Sequence, residues 1–586
     1  YNRQGEVNTM KDPNQTKHAY SYDGLGRQTE DEITSFGAGI DQSVAKIGTT
    51  YDTKRLLRTK VTSYDGADAV VNEVTFSYDD FGQLASDQQE HDGAVDGSTL
   101  KVQYGYENGN RANTSRRTSM TYPDGRQLNY GYGSNGSAED QLSRVKTLAI
   151  AGEGFDLCTY TYAGAARYVR IAYEQPSVQL TYEKTASMPL GDAGDQYTGY
   201  DRFGRTVDMR WVPTGGGSEL DRIQYGYDRA NNRTWRRNLA AEDGGQDNAY
   251  GYDGLYQVKQ AALGTLNLNQ TAIGAIPSEN EDFDYDPTGN WTHYTRSADG
   301  TEELDQSRVS NQDNQLTQID GSSDGISYDK AGNATKMPPN ADGDWSKYYQ
   351  LTWDGWNRLV AVKEPSGQTT TTVALYAYDG IYRRVTKTLG AEVRHYFYND
   401  QWKCVEERVA TDSSSSSSSE APSSSSSSPG GGSSMDSSSS ASPGFSSSSM
   451  IPGSSGSMIM MAEAVAEVEV QYVWGARPQH RDELILRDRD TSGNGTLDER
   501  LYCLMDYFDP TSVVSTAGAV LERYRFSAFG LRTVMDADWE DRSGSNHSFE
   551  YAFHGQFLDP ETDFYNYGYR YYSSQVGRWI SKDPIG

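Results

Sequence analysis

The chain has 586 residues, a formal net charge of −29 and a sequence pI of about 4.6. Such an acidic field repels phosphate backbones, which argues against general nucleic-acid binding. Tyrosine and glycine are abundant, with 43 Tyr and 59 Gly, whereas the hydrophobic fraction is only 35%. Aromatic residues suit pleated strands and glycines suit turns, so this composition predicts an all-β protein rich in hairpins.

Features that the sequence lacks exclude several further classes of protein. Three scattered cysteines, Cys158, Cys404 and Cys503, form neither a disulfide framework nor the spacing of a metal site. No apolar run approaches the roughly 18 residues that span a bilayer. The chain opens on "YNRQGEV", without Met or a signal peptide, which predicts a fragment or processed piece. The usual motifs of serine hydrolases, phosphate loops and zinc proteases are absent from the sequence.

One short motif recurs along the first two thirds of the chain. The dipeptide Tyr-Asp occurs ten times, usually followed by Gly and then Arg or Asn. The pattern predicts a hairpin corner: Tyr ends a strand with its ring inward, Asp bonds the turn backbone, Gly supplies positive φ, and Arg or Asn starts the next strand. The copies lie at Tyr22–Arg27, Tyr78–Gln83, Tyr200–Arg205, Tyr227–Arg233, Tyr252–Gln257, Tyr285–Asn290, Tyr328–Asn333, Trp353–Arg358 and Tyr378–Arg383.

Between the corners, stretches such as "VNEVTFSY" (Val71–Tyr78) alternate with the period of a strand. A tandem of hairpins in one sandwich would look similar locally. A corner repeated over nearly 400 residues favours instead one long coiled sheet, so residues 1–410 are predicted to form a repeat structure.

A serine-rich tract, residues 411–461, interrupts this pattern. It cannot bury enough apolar surface to offset its ordering entropy, so it is predicted to be disordered. The segments on either side, Glu392–Val409 and Val468–Gly475, have strand character. We therefore predict an insertion at a hairpin tip, with residues 462–586 forming the end of the repeat structure and a distinct C-terminal segment.

After the tract, the segment "DRDTSGNGTLDE" has oxygen-bearing side chains at the spacing of metal ligands. Asp488, Asp490, Ser492, Asn494 and Glu499 follow the oxygen-ligand spacing of a calcium loop, and Gly493 permits the sharp bend. The flanks "DELILR" and "RLYCLM" have strand rather than helix character, so this is not a true EF-hand. Calcium binding and a polar hairpin tip without a metal both remain open, and Ca²⁺ is the one cofactor that the sequence suggests.

The C-terminal segment, Phe553–Gly586, reads "FHGQFLDPETDFYNYGYRYYSSQVGRWISKDPIG". It resembles the Rhs-repeat-associated core signature, and the corners resemble the YD repeat of the same family, which includes bacterial Rhs toxins, toxin-complex C components and teneurins. One departure is Asp563-Phe564, which stands where the family usually has Gly-Leu. The resemblance covers most of the chain outside the serine tract.

This resemblance implies a fold and a function. In the family, the hairpins spiral into a hollow β-shell, or cocoon, that the C-terminal core segment closes, and the shell contains and delivers a variable C-terminal toxin part. The resemblance also implies aspartyl autoproteolysis, with Asp583 matching the family's Asp-Pro turn and Arg578 its preceding arginine. The family's second carboxylate and scissile bond are expected beyond Gly586, so the chain as given is not expected to be a complete autoprotease. A purely structural turn at Asp583 is the alternative.

Three functions from different classes therefore remain. The first is a secreted or surface-displayed bacterial shell whose partner is its own C-terminal cargo. The second is a cell-surface adhesion or carbohydrate-binding module, with glycans as partners. The third is a structural repeat protein of the cell wall. The sequence names no cargo, target cell or secretion apparatus.

Overall fold

The computed structural model describes residues 1–241, 245–340, 344, 347–411, 466–477 and 482–583. The serine-rich tract predicted to be disordered lies outside these residues, apart from Thr411. The regular secondary structure of the described residues is almost entirely antiparallel strand, in three sheets of 23, 15 and 4 strands. In the part of the chain that the structure describes, the other elements are a short α-helix, α1 (Ala138–Gln141), and a 3-10 turn (Phe553–Gly555). The all-β prediction is confirmed.

The first sheet, which we call the first turn, contains β1 (Thr9–Lys11), β2 (Lys17–Tyr22), β3 (Gln28–Ser35), β4 (Lys46–Tyr51), β5 (Arg58–Tyr64), β6 (Val70–Tyr78), β7 (Leu84–Glu90), β8 (Lys101–Tyr106), β9 (Arg117–Thr121), β10 (Gln127–Gly131), β11 (Thr147–Ile150), β12 (Cys158–Ala163), β13 (Arg167–Tyr173), β14 (Val178–Thr181), β15 (Asp208–Pro213), β16 (Asp221–Tyr227), β17 (Arg233–Asn238), β18 (Asp247–Tyr252), β19 (Val258–Gly264), β20 (Glu279–Tyr285), β21 (Trp291–Ala298), β22 (Thr301–Ser310) and β23 (Leu316–Ile319).

The second sheet, the second turn, contains β24 (Ser327–Tyr328), β25 (Ala334–Met337), β26 (Tyr349–Trp353), β27 (Leu359–Ser366), β28 (Thr369–Tyr378), β29 (Arg384–Leu389), β30 (Glu392–Tyr398), β31 (Cys404–Thr411), β32 (Glu467–Trp474), β33 (Leu484–Arg489), β34 (Glu499–Met505), β35 (Pro510–Val514), β36 (Val520–Phe526), β37 (Arg532–Met535) and β38 (Asp541–Arg542). The third sheet contains β39 (Phe557–Asp559), β40 (Phe564–Asn566), β41 (Tyr571–Ser573) and β42 (Arg578–Trp579).

Within each sheet, every strand pairs with the next strand in the sequence. This holds from β1·β2 to β22·β23 in the first turn and from β24·β25 to β37·β38 in the second. Strand β31 pairs directly with β32, with Val409 opposite Glu467, so the two strands that flank the serine-rich tract are neighbours. Most of the other connections between paired strands are short, and short hairpin connections make a meander in which local turn chemistry sets the register.

The Tyr-Asp corners close as the sequence predicts. At the first corner, the Asp23 carboxylate accepts the backbone N–H groups of Leu25 (2.9 Å) and Arg27 (3.0 Å), and Gly26 has a φ of +78°. The Arg27 Nε donates back to Asp23 at 2.7 Å, which fixes the start of the next strand. The same pair of backbone bonds recurs at Asp79, Asp201, Asp228, Asp253, Asp286, Asp354 and Asp379.

The glycine of the motif is not required at every corner. Asn231, Tyr256, Asn357 and Tyr382 occupy the same turn position with φ between +60° and +75°. Asparagine tolerates this left-handed conformation, but for tyrosine it is strained. The corner nevertheless forms, because the aspartate bonds hold the turn independently of the residue that follows.

The corner tyrosines join neighbouring hairpins. Tyr22, Tyr78 and Tyr227 donate their hydroxyls to the carbonyls of Val7 (3.0 Å), Arg58 (2.7 Å) and Thr206 (2.7 Å). The rings of these three tyrosines are half-buried. Tyrosine can bury its ring against a neighbouring strand while its hydroxyl satisfies a carbonyl at the sheet edge.

The second turn packs on the first turn so that successive hairpins of one sheet contact successive hairpins of the other. Successive hydrogen bonds join Asn14 to Asp329, Asn72 to Tyr378, Tyr122 to Tyr472, Trp211 to Met505, and Glu281 to Ala528, all between 2.8 and 2.9 Å. Because residue numbers rise together on both sides, the chain winds as a spiral rather than folding back on itself. Aromatic rings such as Tyr160, Tyr173 and Tyr502 are buried in the core along this seam.

Candidate functional site

The C-terminal segment, Phe549–Asp583, folds as a separate small sheet, β39–β42, which we call the tail. The turn between β39 and β40 is closed by the backbone N–H of Asp563, which bonds the carbonyl of Asp559 at 2.8 Å. Asp563 has a φ of +56°, the conformation that glycine prefers. The departure from Gly-Leu at Asp563-Phe564 therefore leaves this turn in place, at the cost of some backbone strain.

Aromatic residues of the tail pack on the second turn. Phe564 meets the ring of Tyr349 edge to face at 5.7 Å, and Tyr571 stacks on Tyr376 at 5.6 Å. The hydroxyls of Tyr565 and Tyr572 donate to carbonyls that lie between β36 and β37, at 2.8 and 2.9 Å. The tyrosine-rich sequence of the tail thus fills the space against the spiral while each hydroxyl keeps a partner.

Two strained corners contact the exposed connection between β40 and β41 of the tail. Tyr382 and Trp402 have φ values of +75° and +63° at the glycine position of neighbouring corners. Their rings contact Tyr569 with centroid distances of 5.7 Å and 4.8 Å. Backbone strain of this kind persists only where the surroundings hold it in place. At these two corners the large residue that stands at the glycine position contacts the tail.

A buried charge cluster joins the tail to the spiral. Asp559 is fully buried and forms ion pairs with Arg384 and with Lys387, the latter at 3.1 Å. Lys387 also reaches Glu561 at 3.2 Å, and Arg384 donates to the Tyr571 hydroxyl at 3.2 Å. Burial by itself raises the pKa of Asp559, but the charges of Arg384 and Lys387 outweigh burial and hold that pKa below its usual range.

This cluster was not found from the sequence. Arg384 and Lys387 lie on β29, about 170 residues before Asp559, and nothing in their local pattern marks them. The Arg-Arg pair at the end of the "YDGIYRR" corner was the available signal. Arg383 takes the ordinary corner role by binding Asp379 at 2.7 Å, which leaves Arg384 for the tail.

The residues predicted for autoproteolysis lie near the end of the tail. Arg578 donates to Asn290 at 2.6 Å and to Ser310 at 3.2 Å, so it ties β42 to the first turn. Asp583 is half-exposed and pairs with Arg570 at 3.3 Å. The Arg570 guanidinium also lies over the Trp579 ring, 4.1 Å from its centroid. The structure therefore gives Arg578 and Asp583 different neighbours, and their catalytic roles stay predictions.

The predicted calcium loop is a hairpin tip between β33 and β34. The Asp490 carboxylate accepts the backbone N–H groups of Ser492 (2.9 Å), Gly493 (2.8 Å) and Gly495 (2.5 Å). Asn494 likewise accepts the N–H of Thr496 at 2.9 Å. These bonds are typical of a turn in which short polar side chains hold the backbone.

The two outer carboxylates of this loop are bound by arginines. Asp488 is buried and pairs with Arg126 and Arg500, whereas Glu499 pairs with Arg487. Among the residues that the structure describes, no three His, Cys, Asp or Glu side chains are grouped closely enough to hold a metal ion. The strand character of the flanks is confirmed, and calcium binding by this loop stays a prediction.

The spiral and its tail define a class: a β-shell built from repeated hairpins, with a C-terminal segment packed on it. Solved structures share this fold. A crystal structure of TcdB2–TccC3–Cdc42 matches 99% of this chain and 27% of that chain, with a TM-score of 0.62 and 15% identity. A Photorhabdus luminescens Tc holotoxin pore matches 100% of this chain and 26% of that chain, with a TM-score of 0.61 and 15% identity.

Curated proteins are similar over part of the chain. A tRNA3(Ser)-specific nuclease WapA of Bacillus spizizenii is 24% identical over 303 residues, and a tRNA nuclease WapA of Bacillus subtilis is 23% identical over 303 residues. Each match covers 52% of this chain but only 10% of the relative's length. No family model matches the chain. These similarities show that the chain shares the fold of the solved TcdB2–TccC3 and Tc holotoxin structures. Nowhere in the described ranges is a helix long and apolar enough to cross a membrane.

Proposed function

We propose that this chain is the encapsulating shell of a secreted Rhs-type protein, which contains and delivers a variable C-terminal toxin part. The observation that carries the proposal is the tail: it is packed on the spiral through buried rings and through the fully buried Asp559, paired with Arg384 and Lys387. A segment that only ended a repeat array would need no buried charges directed back at an earlier hairpin.

The similarity to toxin proteins supports the same proposal. The solved relatives include a Tc holotoxin pore, and the curated relatives are named as nucleases many times longer than the matched segment. A common shell joined to different active parts fits a containment role. In this proposal the partner of the shell is the C-terminal cargo of the same protein. Secretion follows because the cargo has to reach a target cell.

Release of the cargo would use the end of the tail. Asp583 is half-exposed beside Arg570, so a peptide bond of a following segment could approach its carboxylate. A carboxylate at this place could act as an acid or base on that bond, in concert with a second carboxylate. Arg578, anchored on Asn290, would position β42 rather than touch the reacting atoms.

The test uses the natural gene expressed through its own stop codon. Intact mass spectrometry of the purified product is compared with that of an Asp583→Asn variant. Two fragments from the wild type and one uncut chain from the variant are expected. One intact chain from both proteins would refute release by Asp583.

A matched control separates the charge of Asp583 from the folding of the tail. Asp541→Asn removes another exposed carboxylate that pairs with an arginine, Arg525, at 3.4 Å. This control is expected to cleave like the wild type. Equal loss of cleavage in both variants would show that the effect is not specific to Asp583.

One observation favours a second function, adhesion. The corner tips of the first turn expose large apolar side chains, with Phe81 71% and Phe203 77% exposed, whereas the corresponding Trp356 and Ile381 of the second turn are buried against the first turn. Exposed aromatic residues can stack on sugars or on a protein surface. Binding of wild-type protein to a glycan array, lost in Phe81→Ser/Phe203→Ser, is the outcome that would support adhesion. If the wild-type protein binds no glycan, adhesion is rejected and the shell is the function that remains.

A further inference from the structure

Strand β7 contacts the second turn through alternate side chains, which lie on one face of the strand. Asp87 pairs with Arg383 at 2.7 Å. The amide of Gln89 donates to the Tyr398 carbonyl at 2.7 Å and accepts the Tyr398 N–H at 3.0 Å. The next residue in this alternation is His91, directly after the strand. It therefore lies at the same seam between the two turns.

His91 meets His395 of β30 across this seam, and we call these two residues the histidine pair. Their Nδ1 atoms are 3.1 Å apart, and their rings are nearly parallel, at 6°. The His91 ring also stacks on Phe397, with the centroids 4.6 Å apart. Two imidazole nitrogens form a hydrogen bond only when one carries a proton and the other does not. The contact therefore requires an unprotonated Nδ1 on one of the two rings.

A further proton has no favourable place on the histidine pair. The Nε2 atom of His91 is buried and has no hydrogen-bond partner among the residues that the structure describes. A proton on this atom would be a buried donor without an acceptor, so the favoured arrangement has His91 donating through Nδ1. His395 then accepts through its own Nδ1, and a proton on that atom would break the bond. Contact between the two turns thus favours neutral rings, whichever ring would take up the proton.

We propose that the histidine pair is a proton-sensitive contact between the two turns, which holds them together while both rings are neutral and weakens in acidic surroundings. The consequence rests on the proposed function: a containing shell would be closed most firmly near neutral pH and would loosen at this seam on acidification.

The charged groups around the histidine pair support this direction. Burial, first, and then His395 and Arg383 lower the pKa of His91 well below its ordinary value of 6.5. Burial also lowers the pKa of His395. The charge of Asp92 opposes that effect, whereas the charge of Arg408, which lies opposite His395 on β31, adds to it. A positive charge on either ring is therefore disfavoured by burial and by a neighbouring guanidinium.

The sign of the pH dependence follows from this direction. The pKa of each ring is lower when the turns are packed together than its ordinary value of 6.5, so packing releases protons. The stabilisation is complete above about pH 6.5 and is lost as the pH falls below that value. The seam is therefore held more firmly at neutral pH than in mildly acidic surroundings.

Hydrogen exchange of this chain tests the proposal at the seam itself. The Tyr398 N–H, bonded to Gln89 across the seam, exchanges when the two turns separate. Protection of peptides that cover residues 394–400 is measured from pH 5 to pH 8 for the wild type and for His91→Asn. The asparagine amide can donate to a neutral His395 or accept from a protonated one, so the contact in this variant does not depend on pH.

The ratio of wild-type to His91→Asn protection isolates the histidine pair. It cancels the intrinsic pH dependence of exchange, and also the titration of nearby Asp87, whose pKa burial raises to about 6. The ratio is expected to fall roughly tenfold or more between pH 7 and pH 5, because His91 alone takes up a proton on separation in this range. A ratio that stays within about twofold over the same range would overturn the proposal.

A second variant and a control keep the test decisive. His395→Asn removes the other ring and is expected to lose the pH dependence as His91→Asn does; a fall as steep as that of the wild type would contradict the pairing. His293→Asn changes a histidine that contacts Asp305 at 2.6 Å within the first turn, so it is expected to keep the wild-type fall. Equal loss of the fall in this control would also overturn the proposal. Cargo release plays no part in these measurements, so failure of the contact and failure of cleavage by Asp583 are distinguishable.

Discussion

Removing the charge of Asp559 should loosen the tail more than any surface substitution. The Asp559 side chain is 0% exposed, and its partners Arg384 and Lys387 are 2% and 3% exposed. Breaking a buried ion pair by removing one partner costs about 3–5 kcal/mol, because the remaining charge is left without compensation. Asparagine keeps a hydrogen-bond acceptor, so we expect about 3 kcal/mol for Asp559→Asn.

That energy is large enough to measure locally. A loss of about 3 kcal/mol raises the opening constant of the tail by roughly a hundredfold, which hydrogen exchange of peptides spanning β39–β41 reports directly. Asp541→Asn serves as the control, because its carboxylate is 61% exposed and pairs with Arg525 at 3.4 Å. An exposed pair of that kind is worth less than about 1 kcal/mol.

Two further measurements complete the experiment. Lys387→Met combined with Asp559→Asn should recover part of the loss, since one unpaired buried cation is then removed. Because the pKa of Asp559 is lowered by its partners, its contribution is present above its ordinary pKa of 3.8 and is lost as the pH falls through the lowered value. Exchange rates in Asp559→Asn that match those of Asp541→Asn would refute the reasoning that this cluster holds the tail.

Four other predictions concern single features of the fold. Asp563→Gly should stabilise the tail by up to about 1 kcal/mol by relieving its left-handed strain, and a lower melting temperature would contradict that account. Glu550→Gln should stabilise the protein by about 2 kcal/mol at pH 8 but little below pH 4.5, because burial and then Glu407 raise the pKa of Glu550 to about 7; equal gains at both pH values would exclude titration as the cause. Deleting residues 413–457 should change the melting temperature by less than about 2 °C, since the entropy of closing a loop depends only weakly on its length; insoluble protein would show a structural role. If the loop at Glu499 binds calcium, the metal should raise the melting temperature of the wild type but not of Glu499→Gln. Identical wild-type melting curves in calcium and in chelator would reject calcium binding, and Glu499 would then serve only in its ion pairs with arginine.

The repeated corner was predictable because its chemistry is local. The bonds from Asp23 to Leu25 and Arg27 involve residues within four positions of one another, so the motif by itself predicts a turn and two flanking strands. Chain-order pairing of the strands follows from the short connections. The all-β class, the hairpin meander and the strands that flank Glu499 were therefore accessible from the sequence.

Long-range contacts were not accessible, because their partners are separated by hundreds of residues. The sequence of the tail did not indicate that Asp559 would meet Arg384, or that Asp509 would bind the backbone of His554. The same holds for Tyr382: its local motif favours glycine and did not indicate that its ring would lie against Tyr569 of the tail. Sequence by itself determined the repeating unit of this protein, since hydrogen bonds within a turn depend on near neighbours. Only the tertiary structure decided which charges are buried and paired, since burial depends on how one turn of the spiral lies on another.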